Sequence, residues 1–189
     1  MTDSMVSIAD MVMECDIWGD RGSKLSILDS TVGRVSNKDH SSVNISRSEM
    51  GAITNENYST ADITGTKIQE IKYPGAAIYN RDYSILKISG KSEIQIRCSG
   101  ANINNTGSSE LDISDTSLDI SNGIENTGSL FHMSDSSMEI IKYGNGGKLE
   151  ITNTGELSIS SSVIMPNSSF KGEGVRVYNA GQTTGALTL

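Results

Sequence analysis

The sequence predicts an all-β chain, a single-stranded right-handed parallel β-helix (a β-solenoid) of about eight to nine rungs with 18–25 residues per rung. Three observations lead there. One segment is written twice at a fixed distance, apolar residues alternate with a period of two, and the connecting stretches are rich in Ser, Asn and Gly with only 2 Pro in 189 residues.

The duplicated segment is Ile85-Leu86-Lys87-Ile88-Ser89-Gly90, which returns as Glu110-Leu111-Asp112-Ile113-Ser114-Asp115. Leu86 and Leu111 are 25 residues apart, as are Ile88 and Ile113. Self-similarity at a period of about 20–50 residues marks a stacked array, in which each unit buries its apolar face against the next.

Taking the apolar-x-apolar pair as a marker, copies occur in order at Val6/Ile8, Leu25/Ile27, Val43/Ile45, Ala61/Ile63, Leu86/Ile88, Leu111/Ile113, Phe131/Met133 and Leu149/Ile151, with a last one at Val175/Val177. The steps between them are 19, 18, 18, 25, 25, 20, 18 and 26 residues. A second apolar station follows each marker at Met13, Val32, Met50, Ile68, Ile94, Leu118, Met138 and Leu157. A third follows closely at Cys15, Val35, Ile53, Ile71, Ile96, Ile120, Ile140 and Ile159. Within each copy the apolar residues alternate, which is the strand period. No window shows the i, i+3, i+4, i+7 spacing of a helix. The Leu-rich half-repeats of leucine-rich arrays and the strict six-residue period of hexapeptide helices are also missing. Parallel strands in successive turns cross over right-handedly and lie about 4.8 Å apart. The 18-residue rungs are expected to trim a turn or a strand relative to the longer ones.

The turns have their own ladder. Asn37, Asn55, Asn80, Asn105 and Asn126 each follow an apolar residue by two. Asn tolerates left-handed backbone, and stacked amides can hydrogen-bond from rung to rung. A hydroxyl register, Ser46, Thr64, Ser89, Ser114, Ser134 and Thr152, follows the marker Ile or Met directly and is expected to bond corner backbone groups. All of 1–189 reads as one solenoid domain, regular over about 5–160 and less regular over 161–189.

Gly75-Ala76-Ala77-Ile78-Tyr79-Asn80, followed by Leu86-Lys87-Ile88-Ser89-Gly90, resembles repeats of large bacterial surface proteins. Ile103-Asn104-Asn105-Thr106-Gly107 and Ile151-Thr152-Asn153-Thr154-Gly155-Glu156-Leu157-Ser158-Ile159 are similar to repeats of autotransporter-type and pectate-lyase-like adhesive domains. The likeness covers about residues 5–160 and implies a parallel β-helix on a bacterial cell surface or a phage tail. It carries over no catalytic residue.

Charge narrows the partners. With 15 basic against 23 acidic residues the net charge is −8, which argues against nucleic acid and anionic membranes. No apolar run is long enough to span a bilayer. Met1-Thr2-Asp3-Ser4 opens without a basic or apolar signal region, so no signal peptide is expected within this chain. An extracellular, cell-surface or virion-tail location is still the expectation that the resemblance implies.

Candidate chemistry is sparse. His40 and His132 lie in different rungs without Cys or carboxylate at ligand spacing, so no metal and no cofactor are expected. Cys15 and Cys98 both occupy apolar-alternating positions four rungs apart, roughly 19 Å, beyond the reach of a disulfide, and are expected as free buried thiols. Asp112, Asp115, Asp119 and Asp135 are the weak candidates for a ligand-binding face, with Asp115 and Asp135 stacked in adjacent rungs. A carboxylate pair about 5 Å apart would suit a retaining hydrolase or a calcium site, but no Lys or Arg is evident beside it. Tyr73, Tyr79, Tyr83 and Tyr143 are the aromatics that could line a groove, and all read more simply as corner residues. Gly144-Asn145-Gly146-Gly147 lacks the Lys-Ser/Thr of a phosphate loop and reads as a turn.

The ends of a solenoid are open sheet edges. Strands are expected from about residue 5, with Trp18 over part of the first rung, and again at Val175-Arg176-Val177-Tyr178 and Ala186-Leu187-Thr188-Leu189. The expected function is a non-enzymatic structural or adhesive rod, or a filament subunit, with a polar Ser/Asn/Asp face. The expected partner is a further copy, in a homo-oligomer or stacked end to end, or else the continuation of a larger chain, with carbohydrate as a candidate ligand. The alternative is a tailspike-like module that binds or cleaves polysaccharide.

Overall fold

The computed structural model describes residues 4–70, 77–96, 103–121, 123–140, 149–153, 156–160, 163–166, 175–179 and 182–184. Every regular element among them is a strand, and every pairing is parallel. The chain is a parallel β-solenoid, as its apolar pattern dictates.

One sheet has nine strands, one from each turn, running from Met5–Ala9 through Ile85–Ser89 to Gln182–Thr184. Its register stacks Val6, Leu25, Val43, Ala61, Leu86, Leu111 and Phe131 directly above one another. Ile8, Ile27, Ile45, Ile63, Ile88, Ile113 and Met133 form the adjoining column. From Leu86 to Ile113 these side chains are wholly buried, and each aliphatic one withdrawn from water contributes about 1.5–3 kcal/mol before entropy is counted. Among the residues whose burial is described, the interior is closed over about six turns, from Lys24 to Met138. The first turn is only partly closed: Val6 is 49 % and Val12 78 % exposed.

The second sheet has fourteen strands and explains the unequal turn lengths. In the two 18-residue turns one long strand, Thr31–Asn37 or Glu49–Asn55, forms the rest of the wall. In the longer turns the same wall splits in two, as in Ser92–Ile96 followed by Ile103–Thr106. The long strand Glu49–Asn55 pairs with Lys67–Glu70 at one end and with Ile78–Asn80 at the other. The expected third apolar station therefore mixes two columns. Val35 and Ile53 stack with Ile78, Ile103 and Ile124, whereas Ile96 stacks with Ile120.

Four further expectations are corrected. Phe131 pairs with Leu157, not with Leu149, and Leu149–Asn153 pairs instead with the Asn-bearing strand Ile124–Thr127. Thr152 thus lies opposite Glu125, outside the hydroxyl register, while Ser134 continues into Ser160. Cys15 is a free thiol but exposed, because the chain between Val12–Met13 and Ile17–Gly19 leaves the strand. Trp18 is 73 % exposed on the outer face and covers no rung, since its strand buries Gly19 instead. Cys98, Tyr73, Tyr143, the turn 144–147 and the strand expected at 186–189 lie outside the described residues.

Candidate functional site

Two corners run the length of the solenoid, and each is built by a buried hydroxyl. At the first, Ser30, Ser48, Thr66, Ser92, Thr116 and Ser136 sit just beyond the strands of the nine-stranded sheet. Each hydroxyl donates to a carbonyl two or three residues back, as Ser48 Oγ does to Ser46 O at 2.8 Å. Several also accept an N–H from the preceding turn, as Ser48 Oγ does from Ser30 at 3.1 Å. The hydroxyl so turned inward leaves the residue before it in left-handed backbone, and that residue projects outward: Asp29 (φ 48°), Arg47 (φ 46°), Lys91 (φ 63°), Asp115 (φ 45°) and Asp135 (φ 48°).

These outward residues line two grooves on one corner. The upper, of about 450 Å³, includes Asp29, Arg47, Glu49 and Lys67. Arg47 grips Asp29 in a two-pronged pair, Nε to Oδ1 at 2.9 Å and Nη2 to Oδ2 at 2.7 Å. That hydrogen bond holds the Asp29 carboxyl below its usual pKa. The lower groove, of about 610 Å³, includes Lys91, Glu93, Asp115 and Asp135 over a hydroxyl floor. Of the four candidate carboxylates the fold therefore brings Asp115 and Asp135 together. Asp112 lies on the outer face of the nine-stranded sheet between Lys87 and His132, and Asp119 lies on the other sheet between Gln95 and Glu139. The expectation of no cation beside the pair is corrected, for Lys91 lines the same groove. Lys91, Asp115 and Asp135 are all exposed. Among the described residues no three His, Cys, Asp or Glu side chains are grouped to hold a metal ion.

The second corner carries a five-residue pattern, Asn-x-x-x-Ser, in four successive turns: Asn37 to Ser41, Asn55 to Ser59, Asn80 to Ser84 and Asn105 to Ser109. The Asn is wholly buried and its amide runs along the axis. Nδ2 of Asn37, Asn55, Asn80 and Asn105 donates to Oδ1 of the next Asn at 2.8, 2.9, 2.9 and 2.8 Å, ending on Asn126. The same Nδ2 atoms reach main-chain carbonyls, such as Glu110 O from Asn80 at 2.6 Å. The buried Ser forms a second column, in which Ser41, Ser59, Ser84, Ser109 and Ser129 each accept an N–H from the turn before. At the top, Gly19 occupies the Asn position and Asn37 Oδ1 has no hydrogen-bond partner.

Between Asn and Ser the chain makes two consecutive left-handed residues, Asp39-His40, Asn57-Tyr58 and Asp82-Tyr83. Their rings stack outside the wall. His40 lies 5.2 Å from Tyr58 at 12°, and Tyr58 lies 5.1 Å from Tyr83 at 7°. Tyr58 and Tyr83 are 56 % and 58 % exposed. Beside the rings runs a charge column: Glu56, 5 % exposed, takes Lys38 from the turn above and Arg81 from the turn below. Burial opposes ionisation of Glu56, but the hydrogen bonds from Lys38 and Arg81 outweigh it and hold the pKa below the ordinary value. Asn57 Nδ2 donates to Asp39 Oδ1 at 2.7 Å and lowers that pKa too.

Sequence reasoning placed Tyr83 at a corner but did not join it to Tyr58 and His40, and it missed the inward Ser column. The signal was there: a Ser stands two residues before each marker from Leu25 to Phe131. Tyr79 sits half-buried within the strand Ile78–Asn80, away from this stack. No known protein family matches the chain, and neither does any curated protein or solved structure.

Proposed function

We propose that the chain is a structural and adhesive β-solenoid, a stiff rod that presents polar corner side chains at a bacterial cell surface or on a phage tail. The observation that carries this is the unbroken run of buried amides from Asn37 to Asn126, which ties each turn to the next at one fixed spacing. Such a column resists bending and sliding, because a partial shift of one turn against the next pulls each donor off its acceptor. End-to-end association of copies fits the first turn, where Val6, in register with the buried Leu25, is still 49 % exposed. Electron microscopy of the purified chain, with sedimentation at several concentrations, tests the reading. Straight rods that lengthen with concentration support it, and compact particles of one size would count against it.

A carbohydrate-cleaving module is the second reading, favoured by Lys91, Asp115 and Asp135 in one groove. Release of reducing ends from a polysaccharide panel, abolished by Asp115→Asn and Asp135→Asn, would establish it.

A further inference from the structure

The aromatic column stops abruptly. Below Tyr83 the equivalent positions are Gly107 and Ser108, both exposed, so the lower face of the Tyr83 ring stands over a gap that the next ring would have filled. The backbone there matches the turns above, since Ser108 is left-handed at φ 60° beside φ 63° at Tyr83, and Tyr83 N donates to Gly107 O at 2.9 Å. Asp82 sits close over Gly107, where a Cβ would lie 2.8 Å from Asp82 N and 3.1 Å from its Oδ1, so the carboxylate borders the gap below Tyr83. Arg81 Nε is 3.9 Å from the other oxygen of Asp82.

The rings are not needed to close the corner, since the turns with Gly22 and Ser108 at this position close without one.

We propose that the Tyr83 face above Gly107 and Ser108 is a docking subsite for a neutral sugar ring, which continues the His40–Tyr58–Tyr83 column. The apolar face of a pyranose stacks on the phenol, while neighbouring hydroxyls donate to Asp82 and accept from Ser108 and from the Arg81 N–H groups that do not serve Glu56. A polyanion is disfavoured by Asp82 and by the net charge of −8, and a simple cation by Arg81. A polyol, both donor and acceptor, suits a carboxylate and a guanidinium side by side. The inference rests on the adhesive reading and names its ligand class.

The test uses the full chain, a glycan array, and saturation-transfer NMR with methyl glycosides of glucose, galactose and N-acetylglucosamine. Ser108→Tyr fills the gap with a fourth ring at a backbone conformation that Tyr already adopts one turn above. Binding that falls more than tenfold in Tyr83→Ala and disappears in Ser108→Tyr is the expected result. Binding that both variants retain overturns this subsite and leaves the adhesive reading in place. An array and NMR panel with no bound glycan overturns the subsite and glycan adhesion together, while rods in the microscope would still uphold the structural role.

Discussion

Asn80 donates from Nδ2 to Oδ1 of Asn105 at 2.9 Å, one whole turn of the solenoid away, with both side chains fully buried. Twenty-five residues separate the two in sequence, and a single side-chain hydrogen bond joins them in space. Repeated along the axis, this contact converts a set of loosely similar segments into one stack.

Asn80→Ala removes the donor to Asn105 and to Glu110 O, and the acceptor used by Asn55. Leaving several buried groups unpaired is expected to cost about 3 kcal/mol in chemical denaturation. Asn80→Asp is expected to be worse at pH 7, since it sets a buried anion against the Asn105 oxygen. Burial raises the pKa of that carboxyl, so the excess loss should shrink as pH falls from 7 and be gone below about pH 4, the unfolded value.

Gly19 offers the opposite experiment. A Cβ there would lie 3.2 Å from Asn37 Oδ1, the one buried side-chain polar atom without a partner among the described residues. Gly19→Asn supplies the missing donor, and Gly19→Ala supplies only the close contact. The Asn variant is expected to be more stable than the Ala variant by about 1 kcal/mol in thermal melts.

The two hydroxyl columns should respond unequally. Ser84 Oγ accepts the buried N–H of Ser59 at 3.1 Å, so Ser84→Ala is expected to cost about 2 kcal/mol. Ser89, in the register that follows the marker Ile, is only half-buried, and Ser89→Ala should stay within about 0.5 kcal/mol. Paired urea titrations of the two variants measure the contrast.

Acid should release Glu56. Its folded pKa lies below the ordinary 4.5, so its contribution is complete above about pH 4.5 and is lost as pH falls through the folded value. Glu56→Gln is therefore expected to melt earlier than the parent at pH 7 and to match it more closely in acid. Melting temperature across pH 2–7 reads this directly, the range being roughly that of carboxyl titration. A gap that widens in acid would contradict the assignment.

The stack itself was legible because its apolar columns repeat in the chain, from Leu25 to Phe131, and because Asn follows them at a constant offset. What was not legible was which apolar pair belongs to which wall. Leu149-Glu150-Ile151 has the same spacing as Leu86-Lys87-Ile88, and only Asn153, two residues on, marks it as the Asn-bearing strand. Backbone register carries that column to Asn153 and Asn179. The ring column escaped for a different reason. His40, Tyr58 and Tyr83 share no apolar pattern; each stands three residues after a ladder Asn, but that offset does not show the left-handed corner that turns the rings outward.

The central claim is that equivalent residues lie directly above one another. Ser26, Asn44, Asp62, Lys87, Asp112 and His132 form one outward column of paired neighbours. With Cys15→Ser and Cys98→Ala as background, nitroxide labels at Ser26→Cys and His132→Cys span five turns. Pulsed electron–electron resonance should give a single narrow distance near 24 Å, five spacings of about 4.8 Å. A broad distribution, or one centred at half or twice that distance, would contradict the stack.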